Sequence, residues 1–320
     1  MLFGFLEIFG GLALLVLGGE GLVRGAVTIA RHLGVPLMII GLTIVSCGTA
    51  LPELMISARA SSMGYSEMAL GNIIGSNITN IFLVVGLTAI LCPIAVTHKI
   101  IRQDAPLLLG VAAAFIAFCL DDELSRIEAL ILLGISIAYT IYTILKAKAD
   151  NDAVLLKEIE EETNLQIPVW RAGFYLLAGL ALLVGGSEIL IKGGIDLAGN
   201  LGVSQAVIAL TVFAFGSSLP ELVTGIIAAR HKHSDIALGN IIGSNLFNLT
   251  IVAGVSGSIY TIPVSEPFMK IDLFVLGGAV ALLWGFMMLS RTIYRWQGAL
   301  FLAAYVAYIA FRYYNGGILE

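Results

Sequence analysis

Seven residues, GTALPEL at positions 48–54, return as GSSLPEL at 216–222, and each copy lies inside a long apolar run. Proline leaves a backbone carbonyl without its helical donor. Glutamate brings a charge into hydrocarbon. Each is costly in an apolar run, yet the chain builds the combination twice. At the same offset, 168 residues from Glu53 to Glu221, ALGNIIGSNITNI from Ala69 matches ALGNIIGSNLFNL from Ala237, with nothing inserted between the paired motifs. An internal repeat of this length means two copies of one architecture.

The surroundings decide the solvent. Only 12% of the 320 residues are charged and 58% are apolar, roughly half the charge of a soluble domain. A spanning helix needs about 20 mostly apolar residues. Ten segments qualify: 2–22, 36–58, 68–91, 104–120, 126–146, 170–190, 204–229, 236–256, 272–290 and 297–314. The expected fold is an all-α polytopic membrane protein. Residues 2–22 lack a basic leader and a small-residue cleavage site, so they read as a retained span. The hydrophilic stretch from Lys146 to Gln166 contains the cluster KEIEEE. It reads as a solvated acidic loop, with calcium sensing as the alternative. It divides the chain into a first five-helix repeat (1–146), a loop (147–169) and a second repeat (170–320).

Five spans per repeat is an odd number, so the second copy enters the membrane from the opposite side. Such inverted repeats point to transporters with a site at the repeat interface. With the N-terminus outside, Arg24, Arg31, Lys99, Arg102, Lys146, Lys148, Lys157, Arg171, Arg230, Lys232, Arg291 and Arg295 fall inside. Only Arg59, Arg126, Lys192, Lys270 and Arg312 fall outside. Cytoplasmic loops collect Lys and Arg, so both termini are expected outside and residues 147–169 in the cytoplasm. No basic tract suggests nucleic acid, no obligate protein partner is evident beyond the lipid bilayer, and no prosthetic group is implied. The cysteines Cys47, Cys92 and Cys119 stand at no metal-ligand spacing. Their odd number argues against a disulfide framework. No Ser/His dyad, HExxH or paired aspartates lie in the spans, which argues against an enzyme.

Pro52 removes the donor for the carbonyl of Gly48, and Pro220 does the same for Gly216. The second and seventh spans are therefore expected to be broken at the membrane midplane. Freed carbonyls in hydrocarbon must be satisfied by protein, water or a ligand, and a hard cation suits carbonyl oxygen. A plain proline kink is the alternative. Glu53 and Glu221 have no basic partner in adjacent spans, and two buried carboxylates repel. A bound cation offsets both penalties, and two carboxylates neutralise one Ca²⁺ or two Na⁺. Protonated glutamates at a helix crossing are the alternative. In the second motif Asn72, Ser76 and Asn80 recur every four residues, as do Asn240, Ser244 and Asn248, so each set shares a helix face. The glycines and outer asparagines are read as packing, while Ser76, Asn80, Ser244 and Asn248 reach the ion pathway. Calcium takes six to eight oxygens from such groups. Cys47 lies beside Ser46 and is expected near the pathway.

At Gly48–Glu53 with Gly71–Asn77, and at Gly216–Glu221 with Gly239–Asn245, the chain resembles the cation/Ca²⁺ antiporter superfamily, in its sodium/calcium exchanger branch. The resemblance covers the whole chain. It implies antiport of Na⁺ against Ca²⁺ by alternating access in a prokaryotic inner membrane, with Glu53 and Glu221 as central carboxylates. It further implies oxygens from Thr49 and Ser217, carbonyls from Ser46 and Ala214, and Na⁺ ligands from Ser76 and Ser244. Asn80 and Asn248 become mid-membrane amides, and the first and sixth helices a long tilted pair that slides past the others. Ser218 keeps the serine of the motif, whereas Ala50 lacks it. The calcium/proton branch, the alternative function, carries a glutamate where this chain has Gly75 and Gly243. Asn248 replaces the aspartate of potassium-dependent relatives.

Overall fold

Glycine recurs every seven residues at Gly4, Gly11, Gly18 and Gly25, and small residues do so at Ala172, Gly179, Gly186 and Gly193. The computed structural model describes residues 2–149, 167–200, 214–264 and 271–314. Its helices are α1 (Leu2–Leu33), α2 (Leu37–Thr49), α3 (Leu51–Ser62), α4 (Met68–Leu91), α5 (Ile100–Phe118) and α6 (Arg126–Ala149). There follow α7 (Val169–Asn200), α8 (Ala214–Ser217), α9 (Leu219–Arg230), α10 (Ser234–Ile259), α11 (Leu273–Ser290) and α12 (Arg295–Tyr314).

The two glycine stripes face each other along α1 and α7. A Cβ at Gly11 would lie 2.7 Å from the carbonyl of Gly186, one at Gly18 2.8 Å from that of Gly179, and one at Gly25 2.7 Å from that of Ala172. The pairing runs antiparallel, and a strict seven-residue period keeps one seam in contact along two supercoiled helices. Adjacent glycines separate packing from propensity. Gly11→Ala is expected to lower the thermal midpoint of the purified protein, since overpacking costs about 1–3 kcal/mol. Gly10→Ala meets nothing within 4 Å and is expected to leave stability unchanged or raise it by up to about 1 kcal/mol. Equal midpoints for the two variants would contradict the seam.

Both helices outrun their expected spans of 2–22 and 170–190, each reaching 32 residues. The charges that closed the apolar windows are carried on the helix surface. Arg24 pairs with Glu20 at 2.8 Å, and Lys192 with Glu7 at 2.7 Å. At 1.5 Å per residue such a helix is about 48 Å long, against a hydrocarbon core of about 30 Å, so it must lean or project into the interface.

Among the described residues seven helices, α1, α4, α5, α6, α7, α10 and α11, are long and apolar enough to cross a membrane, and the bent pair α2/α3 makes an eighth candidate. The other two expected segments are helical where described, in α8/α9 and in α12. Residues 204–213 and most of the acidic loop, 150–166, lie outside the described residues. Helices α4 and α10 are the most enclosed, while α6 and α7 keep most of their surface outward.

Two short antiparallel ribbons tie the halves of the chain together. Strand β1 (Ile94–Ala95) pairs with β4 (Thr292–Ile293), and β2 (Glu123–Leu124) with β3 (Ile262–Pro263). A tyrosine latch recurs as well. Tyr139 donates to Asp104 Oδ1 and Tyr308 to Asp272 Oδ1, both at 2.7 Å. Arg312, expected as an outer charge, is buried in α12 and lies 3.4 Å from Asp272.

Candidate cation-binding site

The broken helices place the carboxylates. Helix α2 stops at Thr49, Ala50 takes φ −87° and ψ 6°, and α3 leaves at 46° to it. Ser218 repeats the break between α8 and α9 with φ −91° and ψ 7°. Pro52 and Pro220 fall in the first helical turn, where a missing N–H costs nothing. The breaks therefore lie two residues before the prolines. This puts Glu53 and Glu221 in the first turns of α3 and α9, where the exposed N–H groups favour negative charge. Helix α7 covers both breaks, with Leu180 packed on Gly48 and Ile191 on Gly216.

Glu53 is 1% exposed, and neither carboxylate oxygen has a hydrogen-bond partner. Glu221 is fully buried; its Oε1 accepts from Ser244 Oγ at 3.4 Å, and Oε2 has no partner. The two carboxylates lie close enough to repel when both are ionised. Asn80 and Asn248 are buried, and no amide atom of either is hydrogen-bonded. Each opens a π-helical stretch, Asn80–Val85 in α4 and Asn248–Val252 in α10. Such widened turns recur at functional sites. The stretch at Asn248 packs on α3, and the one at Asn80 packs on α9.

Thr49 joins the halves. Its Oγ1 lies 3.2 Å from Asn240 Oδ1, 3.4 Å from Ser244 Oγ and 3.4 Å from the carbonyl of Ser46. That carbonyl also accepts the Ala50 N–H at 3.0 Å, and the Ser46 hydroxyl donates to Leu42 O at 2.7 Å. Glycine permits this approach: a Cβ at Gly243 would lie 2.6 Å from Ser46 Oγ. On the other side the residues do not converge in the same way. The Ser76 hydroxyl donates to Asn72 O at 2.7 Å within its own helix. Ser218 is buried with its hydroxyl unpartnered, Ser217 is half-buried, and Ala214 begins α8.

Thr49, Ser46, Ser244 and Glu221 thus share one cluster. The fifth oxygen comes from Asn240, which the sequence pattern assigns to packing. Its signal was the four-residue spacing shared with Ser244 and Asn248. Cys47, expected near the pathway, is exposed with Ile44, Leu51 and Met55 on the opposite face of the broken helix, away from this cluster. Among the described residues no three His, Cys, Asp or Glu side chains converge. An ion in this cluster would meet the carboxylate of Glu221 and otherwise neutral oxygens, a donor set suited to hard cations.

The family model described as sodium/calcium exchanger protein matches residues 3–145 and 172–314. A protein of Alkalimonas amylolytica with the provisional name antiporter CaxA is 40% identical over 312 residues, 96% of this chain and 98% of its own. The sodium/calcium exchanger MaX1 of Methanosarcina acetivorans is 34% identical, covering 97% and 98% of the two chains. A solved structure of the sodium-calcium exchanger NCX_Mj superposes with a TM-score of 0.83 at 34% identity, over 97% of this chain and 98% of that one.

Proposed function

Because the chain belongs to the sodium/calcium exchanger family, a family of membrane antiporters and not of enzymes, we propose that it exchanges Na⁺ for Ca²⁺ by alternating access, with the cations held between Glu53 and Glu221. The observation that carries this reading is Glu53, a buried carboxylate with neither oxygen hydrogen-bonded. Burying an unpaired carboxylate costs several kcal/mol, and the amides of Asn80 and Asn248 are likewise buried without partners. A Ca²⁺ ion, as cargo, removes these penalties together, and two Na⁺ ions do so in the other half of the cycle. In this reading Thr49, Ser217, Ser218, Ser76, Ser244, Asn80 and Asn248 lend side-chain oxygens, and Ser46 and Ala214 lend carbonyls.

The same reading takes the chain as ten spans in two inverted repeats, 1–146 and 170–320, with the loop 147–169 in the cytoplasm and both termini outside a prokaryotic inner membrane. The ribbons support it. Ten crossings put the loop of β1 on the same side as that of β4, and the loop of β2 on the same side as that of β3, as their pairing requires. The family match, split at residues 146–171, supports the repeat boundary.

The test is radioactive Ca²⁺ uptake into proteoliposomes under imposed gradients. Uptake driven by an outward Na⁺ gradient, and collapsed when that gradient is removed, is the expected result. Uptake that follows a pH gradient and ignores Na⁺ would replace this reading with calcium/proton exchange. Conductance without counter-transport would replace it with a channel.

A further inference from the structure

Asn72 and Asn240 occupy equivalent places in the repeat, each as the first asparagine of ALGNIIGSN. Their side chains have different work. The Asn72 amide nitrogen donates to Ser57 Oγ at 2.8 Å and to the backbone carbonyl of Glu53 at 3.1 Å. Both of its N–H groups are thereby used within the first repeat. Asn240 is fully buried, its Nδ2 has no partner, and its Oδ1 lies 3.2 Å from Thr49 Oγ1 in the other repeat. The cause sits one turn beyond each glutamate. Position 57 is serine, whereas its counterpart, Gly225, has no hydroxyl to accept the amide.

The oxygen spacing shows what the second arrangement suits. Hydroxyl hydrogen bonds run about 2.5–3.0 Å between oxygens. The four separations around Thr49 and Ser244, reaching the Ser46 carbonyl, Asn240 Oδ1 and Glu221 Oε1, are 3.2–3.4 Å. Oxygens at right angles around a cation at about 2.3–2.6 Å stand about 3.3–3.7 Å apart, and around Mg²⁺ at about 2.0–2.1 Å only about 2.8–3.0 Å. Separations of this length match neighbouring oxygens around a cation of Ca²⁺ size and exceed those around Mg²⁺.

We infer that Asn240 is a cation ligand contributing a neutral amide oxygen. Ser57 withdraws its counterpart, Asn72, from the site and makes it a clamp on the start of α3. The two halves of the site are therefore chemically unequal despite their shared motifs. This assignment rests on the reading of Glu53 and Glu221 as cation carboxylates.

The experiment compares Ca²⁺ affinity, Na⁺ half-saturation and thermal midpoint for the reconstituted full-length protein and its Asn240→Ala, Asn240→Asp, Asn72→Ala and Ser57→Gly variants. Asn240→Ala is expected to weaken Ca²⁺ binding about tenfold or more through loss of one ligand, with the midpoint of the ion-free protein unchanged. Asn240→Asp keeps an oxygen in place and is expected to bind Ca²⁺ at least as tightly as the native chain. Asn72→Ala and Ser57→Gly are expected to lower the midpoint while shifting Ca²⁺ affinity by less than about threefold, as befits a clamp. Equal losses of affinity in Asn72→Ala and Asn240→Ala would overturn the assignment. So would native affinity in Asn240→Ala while Glu221→Gln loses binding. A native chain that binds no Ca²⁺ would instead overturn the underlying reading of the site.

Discussion

Glu53→Gln and Glu221→Gln are each expected to abolish Na⁺-driven Ca²⁺ uptake, to below about 1% of the native rate. Glutamine keeps the shape of the side chain and removes the charge. Removing one partner from a buried charged pair costs about 3–5 kcal/mol, and each 1.4 kcal/mol is tenfold, so two to three orders of magnitude in affinity are at stake. The two variants have different starting points. Glu53 accepts no hydrogen bond, whereas Glu221 shares Oε1 with Ser244. Stability should move the other way. Each substitution removes a desolvated charge and its repulsion with the other carboxylate, so the ion-free protein melts at or above the native temperature. What disappears is the rise in midpoint on adding Ca²⁺, because only a ligand that binds the folded state stabilises it. Uptake and melting measured together separate a lost site from a lost fold. Native uptake in either variant would remove the carboxylates from the mechanism.

Gly243→Ala should be the most damaging substitution of a residue that touches no ion. Its new Cβ would stand 2.5 Å from the carbonyl of Leu42 and 2.6 Å from Ser46 Oγ. The first of these is backbone and cannot swing aside, so α2 must move off α10 by a substantial fraction of an ångström. Thr49 rides on α2, while Asn240 and Ser244 ride on α10. The shift therefore opens the oxygen cluster itself. Overpacking of about 1–3 kcal/mol leaves most membrane bundles folded, but coordination distances confined to about 2.3–2.6 Å tolerate little displacement. The expected outcome is a folded protein with Ca²⁺ affinity reduced about tenfold or more. Gly110→Ala, at an exposed glycine with nothing within 4 Å, serves as the neutral control. If Gly243→Ala transports and binds like the control, the crossing of α2 and α10 does not set the site.

Particular residues show how far the sequence was readable. The breaks were legible at Pro52 and Pro220 because a missing N–H is a property of one residue. Their position, two residues earlier at Ala50 and Ser218, follows from proline's tolerance in a first helical turn. The lengths of α1 and α7 exceed the expected spans because Arg24 and Lys192 look like span ends to a hydropathy window, although each has a glutamate partner, Glu20 on the same helix and Glu7 on the facing one. The seven-residue glycine spacing is present in the letters, but a stripe on one helix does not say which helix it meets. The π-helical stretches at Asn80 and Asn248 have no comparable signal, since their widened turns depend on what packs against them.

The sequence by itself determined what is local to the chain: a membrane solvent from the apolar runs, a doubled pair of motifs, and paired breaks and carboxylates from Pro52, Glu53, Pro220 and Glu221. Only the tertiary structure decided which side chains share the site. Thr49 meets Asn240 across 191 residues, and whether an amide turns toward an ion or away depends on the acceptors within its reach. Ser57 supplies such an acceptor and Gly225 does not, so two identical motifs make different hydrogen bonds because hydrogen bonding acts through space.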